Sequence, residues 1–184
     1  KHRMFLEPMK EILAKIKPSM KEQQHVASTT KTFLTTLNKN LKEAKAILGG
    51  SGAKGTWLSG NHDIDIYVLY KYTKYKAQSK ELSNLLGPIL KKSFPKQQIE
   101  RLHGSRDYFR LDFDHLRFEI VPILHITAAE QAVNITDISP LHAQWVNTRT
   151  KKIKDDILLA KQFLKANNLY GAESHIGGLS GYTV

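Results

Sequence analysis

Two aspartates set two residues apart, Asp63-Ile64-Asp65, follow a glycine-rich stretch, Gly50-Ser51-Gly52-Ala53-Lys54-Gly55-Thr56-Trp57. On a strand, residues i and i+2 leave from one face. Asp63 and Asp65 therefore project together, while Ile64, Ile66 and Val68 turn the other way into a core. Adjacent carboxylates repel, and burying them costs hydration. A divalent cation relieves both problems. Mg²⁺ suits the position, because it takes hard oxygen ligands and keeps places for phosphate oxygens and water. In the glycine-rich stretch, backbone N–H groups can approach a phosphate with no Cβ in the way. Ser51 adds a hydroxyl donor and Lys54 a positive charge. A phosphate loop ahead of paired carboxylates suits nucleotidyl transfer, in which two metal ions activate an attacking hydroxyl and stabilise the leaving pyrophosphate. A site of that kind recruits a third carboxylate from a neighbouring strand. Glu119, alternating with Phe118 and Ile120, is the candidate.

Blander readings stand beside this one. Taken alone, an Asp-x-Asp on a strand is more often a solvated face than a metal site. Asp112-Phe113-Asp114 has the same spacing but no glycine-rich loop before it, and reads as a strand end and turn. Gly49–Gly52 alone could be a plain turn, and it is not a Walker loop, since no Gly-Lys-Ser/Thr follows. The conjunction of loop and carboxylates carries the reading.

The elements that position these residues follow from periodicity. Apolar residues at helical spacing predict helices over 3–17, ended by Pro18, and over 22–44. A short apolar run at 46–48 leads into the glycines. Strict alternation predicts a half-buried strand over 63–70, and further strands are expected over 98–102, 108–113 and 116–124. A hairpin turn is expected at Asp114-His115. A helix over 75–93 is expected to break near Gly87-Pro88. Ser139-Pro140 reads as an N-cap followed by proline at the first helical position of 139–150. The strongest late helix covers 153–168, and a glycine-rich tail starts at Gly171. Helices, then a strand-rich centre, then helices describe an α+β fold.

Composition sets the outer bounds. The chain has 184 residues, 41% apolar and 24% charged, an ordinary globular balance that excludes wholesale disorder. No apolar run approaches the roughly 20 residues of a membrane span, and the charged opening KHRMFLEPMKEILAKIK does not read as a secretory leader. The absence of cysteine excludes disulfides, a cysteine nucleophile and thiolate zinc sites. The net charge of +11 favours polyanionic partners, nucleic acid or nucleotides among them. Lysines around 71–96, interleaved with Tyr70, Tyr72 and Tyr75, could meet an RNA backbone, and a solvated lysine-rich surface explains them equally well. A cytoplasmic location is the expectation.

The run GSGAKGTWLSGNHDIDIYVLY is similar to the signature of the polymerase-β-like nucleotidyltransferases. In its Gly-Thr-Trp-Leu and Asp-Ile-Asp parts it resembles the archaeal (class I) CCA-adding enzymes, tRNA nucleotidyltransferases that build the 3′ CCA end from CTP and ATP with Mg²⁺ and without a template. FEIVPIL, SPLHAQWV, KDDILLAKQFLKANNLYGAE and GGLSGY continue the resemblance in order, from about residue 46 onward. It implies a catalytic head, a mixed sheet flanked by helices, over 1–138. The first helices of a helical nucleotide-binding neck are implied over 139–184, with the family continuing well beyond. Asp63 and Asp65 then match the metal-binding pair and Glu119 the third carboxylate. Gly50, Ser51 and Lys54 match the loop at the triphosphate, and His142, Lys161 and Tyr170 match contacts on the triphosphate and sugar.

Read without the resemblance, the last three have ordinary structural roles: a capping or core histidine, a lysine whose stem snorkels from a packed face, and a tyrosine closing a helix. Two residues depart from the family pattern, Glu119 where aspartate is usual and Lys54 where arginine is usual. The implied activity is transfer of CMP or AMP to the 3′-hydroxyl of tRNA, releasing pyrophosphate. The alternatives are an oligoadenylate or cyclic-dinucleotide synthase of the same superfamily, a minimal toxin–antitoxin type nucleotidyltransferase, or an inactive nucleotide- or RNA-binding head.

Overall fold

The computed structural model describes residues 3–61 and 63–171. Two helices open the chain, α1 (Arg3–Ile16) and α2 (Met20–Asn38). Pro18 separates them, and Ser19 starts the second with a capping box. The Ser19 hydroxyl accepts from the Glu22 N–H at 3.2 Å, and the Glu22 carboxylate accepts from the Ser19 N–H at 3.3 Å. The helix expected over 22–44 stops six residues short of its expected end. The Asn38 side chain clasps Ala46, donating to its carbonyl at 3.1 Å and accepting from its N–H at 2.8 Å. Glu43 turns the chain with φ 54°, and Ala44 then opens a strand rather than closing a helix.

That strand is β1 (Ala44–Leu48). With β2 (Asp63–Lys71), β3 (Glu100–Leu102), β4 (Tyr108–Phe113) and β5 (Leu116–His125) it forms one mixed sheet in the order β1-β2-β5-β4-β3. Only the β2–β5 pair is parallel. The glycine-rich stretch between β1 and β2 is not a free loop. Its centre winds into the short helix α3 (Gly50–Lys54).

The crossover from β2 contains α4 (Tyr72–Tyr75), a 3-10 segment (Lys76–Glu81) and α5 (Leu82–Ser93). The helical break therefore falls at 76–81, where Gln78 leaves helical geometry, and not at Gly87-Pro88. Pro88 lies inside α5. Burial of Leu82, Leu86 and Leu90 along one face outweighs the hydrogen bond the proline removes. After the sheet come α6 (Ser139–Arg149) and α7 (Lys154–Ala166). Ser139 is already helical (φ −52°), so Ile138 and not Ser139 holds the cap position. The GGLSGY segment lies outside the described residues. No described helix is long and apolar enough to cross a membrane.

The sheet has one packed face and one working face. Ile64, Ile66, Val68, Phe118, Ile120, Phe109 and Leu111 point to a core completed by α2 and α5. Phe33 is its centre, stacked between Phe118 (4.0 Å) and Phe94 (4.4 Å). Tyr70 belongs to this core at 2% exposure, so it is removed from any RNA-facing set. Tyr72 and Tyr75 also lean on the core's edge.

A buried ion pair anchors the segment between β5 and α6. Arg106 binds Asp137, the Pro122 carbonyl (3.0 Å) and the Ser79 hydroxyl (2.6 Å), while Asp137 accepts from the Leu124 N–H at 2.9 Å. The start of α6 is thereby tied to the end of β5. From there Asn147 on α6 donates to the Ala53 carbonyl of α3 at 2.9 Å. Lys17 pairs with Asp155 across α1 and α7 at 2.8 Å.

Candidate active site

Strand β2 delivers Asp63, Asp65 and Tyr67 to the face opposite the core. The parallel register sets Asp65 beside Glu119 and Asp63 beside Arg117. The three acidic residues named by the sequence therefore share one face on adjacent strands, which lie about 4.8 Å apart. Asp63 stands exposed at the start of β2, and Asp65 is part-buried. Burial, reinforced by Glu119 and then Asp63, pushes the Asp65 carboxyl up to about 6, against the opposing pull of Lys54 and Lys161. Burial is the largest cause of that rise, and the neighbouring carboxylates add to it.

Gly50 leaves room for that carboxylate. It sits at φ +50°, and a Cβ built on it would fall on the Asp65 side chain. Gly49 is equally confined, because a Cβ there would strike the ring of Tyr67. The Gly49 N–H donates to the Asp65 carbonyl at 2.8 Å, closing the turn from β1 against β2.

A cleft of about 550 Å³ opens over Asp63, Asp65 and Tyr67. Gly50, Ser51, Lys54, His142, Lys161 and Tyr170 all line it, so eight of the nine sequence-named site residues meet around one space. The ninth, Glu119, flanks the cleft from the next strand. The opposing wall is basic. Lys161 is buried with 4% exposure, its ammonium donating to the Thr56 carbonyl at 2.6 Å and standing 5.6 Å from the Tyr170 ring centroid. Burial, with help from Lys165 and Lys54, lowers its pKa to about 8. Burial lowers Lys54 as well, opposed by Asp65. His142 is lowered by burial and by the charge of Lys54. A buried lysine against a backbone carbonyl and an aromatic ring is held in place, not merely snorkelling outward.

Sequence reasoning passed over Tyr67 and Arg110. The alternation that pairs Asp63 with Asp65 puts Tyr67 on the same face, which is enough to find it. Burial raises its phenol, with Ser139 and the Gly50 backbone as hydrogen-bond partners. Arg110 was legible through the hairpin. A two-residue turn at Asp114-His115, with φ of 50° and 62°, pairs Phe113 with Leu116 and therefore Arg110 with Glu119. Arg110 binds Glu119 Oε1 at 2.8 Å through Nη2 and 3.2 Å through Nε.

The donor set fits a hard divalent cation: carboxylate oxygens on one face, a crowded carboxyl raised to about 6, and a glycine in place of a blocking side chain. Among the described residues no three acidic or imidazole groups stand close enough to enclose an ion.

This mixed sheet with its flanking helices is the fold of polymerase-β-like nucleotidyltransferases. A family profile described as "Second Messenger Oligonucleotide or Dinucleotide Synthetase domain" matches residues 5–158, and one described as "tRNA nucleotidyltransferase, second domain" matches residues 155–184. A CCA-adding enzyme of Nanoarchaeum equitans is 44% identical over 135 residues, covering 73% of this chain and 33% of the relative. One from Methanothermobacter thermautotrophicus is 35% identical over 177 residues, covering 93% of this chain and 38% of the relative. The chain thus spans well under half the length of either. Among solved structures, a cytoplasmic RNA terminal U-transferase superposes with TM-score 0.71 at 19% identity, over 98% of this chain and 51% of that one. The Cid1 poly(U) polymerase with Mg and 3′-dATP bound superposes with TM-score 0.73 at 19% identity, over 99% and 53%. These two establish the polymerase-β-like fold. The chain belongs to the family of the first profile, and its sequence is similar to archaeal CCA-adding enzymes over most of its length.

Proposed function

We propose that this chain is the catalytic head, residues 1–138, and the beginning of the neck, 139–184, of a CCA-adding tRNA nucleotidyltransferase working in the cytoplasm. One observation carries the reading: Asp65 sits in register with Glu119, and with Asp63, beneath a cleft whose other wall is Lys54 and Lys161. Carboxylates on the floor and ammonium groups on the wall match a triphosphate bound with its counter-cation. The similarity to CCA-adding enzymes supports CTP and ATP as donors and a tRNA 3′ end as acceptor.

In this reading Asp63 and Asp65 would hold two Mg²⁺ ions, and Glu119 would share the one nearer the acceptor. When bound, Mg²⁺ draws charge from the α-phosphate and makes the acceptor hydroxyl more acidic. The residues do the rest. Ser51 donates to a phosphate oxygen. Lys54 and Lys161 oppose the charge that builds on the leaving pyrophosphate. His142 and Tyr170 border the sugar, and Glu119 receives the proton as the 3′-oxygen attacks the α-phosphorus.

Lys161 makes this reading testable by pH. Below about 8 its ammonium is charged, and above that value it is neutral. Triphosphate affinity is expected to fall as pH rises through 8, and Lys161→Met is expected to bind ATP about tenfold more weakly at pH 7 and to lose that pH dependence. Titration calorimetry reads both.

The first family profile favours a second reading, in which the acceptor hydroxyl belongs to a nucleotide. Labelled CTP and ATP, incubated with Mg²⁺ with and without tRNA lacking its CCA end, separate the two. Label entering tRNA supports the proposal. Product forming equally well without RNA supports the second reading and removes the first.

A further inference from the structure

Glu119 is one methylene longer than the aspartate usual at the third acidic position, and a longer arm has more conformations to lose when it must hold one. In the register β2–β5–β4, Asp65, Glu119 and Arg110 stand side by side across three strands. The guanidinium gives both Nε–H and Nη2–H to the same oxygen, Oε1. Among the described residues nothing else donates to Glu119, so Oε2 remains for another partner. The side chains of Arg110 and Glu119 are 32% and 27% exposed, open enough to work and covered enough to be held. Glu100 faces Arg110 from β3, while Asp112 and Arg117 pair in the neighbouring row at 3.2 Å.

We infer that Arg110 is a positioning residue: by fixing Oε1, it orients the longer Glu119 arm so that Oε2 is presented to the cation shared with Asp65. This rests on the reading of Glu119 as the third acidic ligand. A planar fork with two donors restrains a carboxylate as a single ammonium cannot. The role differs in sign from a merely electrostatic one. A cation beside a cation site weakens metal binding, so removing it should strengthen binding if charge were all that mattered. If Arg110 orients Glu119, removing it should weaken binding.

The test is Mn²⁺ binding to the whole chain, followed by the free-ion electron paramagnetic resonance signal, together with steady-state transfer. Arg110→Ala is expected to bind Mn²⁺ about tenfold more weakly and to lower kcat by a similar factor, with KM for ATP unchanged. Arg110→Lys should recover part of the loss. Glu119→Asp, too short to reach the fork, should lose affinity, and adding Arg110→Ala to it should cost nothing more. Arg110→Ala binding Mn²⁺ as tightly as the parent, or more tightly, overturns the positioning role, as do additive losses in the double variant. If the parent shows no Mn²⁺ site that Asp63→Ala abolishes, the reading of the site fails and the inference with it.

Discussion

Asp65→Asn is expected to abolish transfer almost completely, by about 1,000-fold or some 4 kcal/mol of transition-state stabilisation, while making the metal-free chain more stable. Both effects come from one feature. Asp65 is the most crowded acid of the site, its carboxyl pushed up to about 6 by burial, Glu119 and Asp63. A rise of about two units in the folded chain corresponds to roughly 3 kcal/mol against the ionised form. That penalty is complete above pH 6 and vanishes below the unfolded value of 3.8. Asparagine keeps the shape and removes the charge. In chelator at pH 7.5 the variant is expected to gain about 1–2 kcal/mol, less than the whole penalty because the amide must also be buried. The gain should shrink as pH falls from 6 towards 4, where Asp65 itself takes a proton. Denaturant unfolding at several pH values, with a transfer assay on the same samples, reads both. A variant that lost activity and also lost stability would mark Asp65 as a structural residue.

Gly50→Ala is expected to separate function from stability in another way. The glycine has φ +50°, and a methyl placed there falls on the Asp65 carboxylate. The left-handed conformation costs alanine about 1 kcal/mol. The larger consequence is displacement of Asp65, whose carboxylate and Cβ both lie in the way of the methyl. A shift of about 1 Å in a reacting group costs about 100-fold in rate. Turnover should therefore fall about 100-fold, with a stability loss of about 1 kcal/mol from the backbone and more from the collision. Gly60→Ala is the control. Gly60 has φ +75° with open space around it, so it carries the backbone strain without the collision. Equal losses of activity in the two variants would refute the steric account.

Much of this arrangement was legible because β-structure writes itself in alternation. The 63–70 pattern gave β2 almost to the residue, and with it the shared face of Asp63 and Asp65. The hairpin turn at Asp114-His115 fixed the β4 partner of each β5 residue from Leu116 to Ile120. The parallel register that sets Asp65 beside Glu119 was not written locally, since the crossover between those strands is long and its packing sets the slide. Ala44 continued the helical spacing of the segment before it, yet the helix stops at Asn38, whose side chain clasps Ala46, and Glu43 at φ 54° turns the chain into β1. Gly50–Lys54 read as a phosphate loop because glycine is a poor helix former, yet packing against α6 winds it into a turn of helix. Pro88 read as a break, and core burial of α5 overrode it.

The central claim is that the acidic face and the basic cleft bind a nucleotide together, through a divalent cation. Calorimetric titration of ATP into the chain, in Mg²⁺ and then in chelator, tests it most directly, with Asp63→Ala/Asp65→Ala alongside. The account predicts that ATP binds at least tenfold more tightly to the parent in Mg²⁺ than in chelator, and that the double variant shows no such difference. Equal affinities for the parent in both buffers would contradict it.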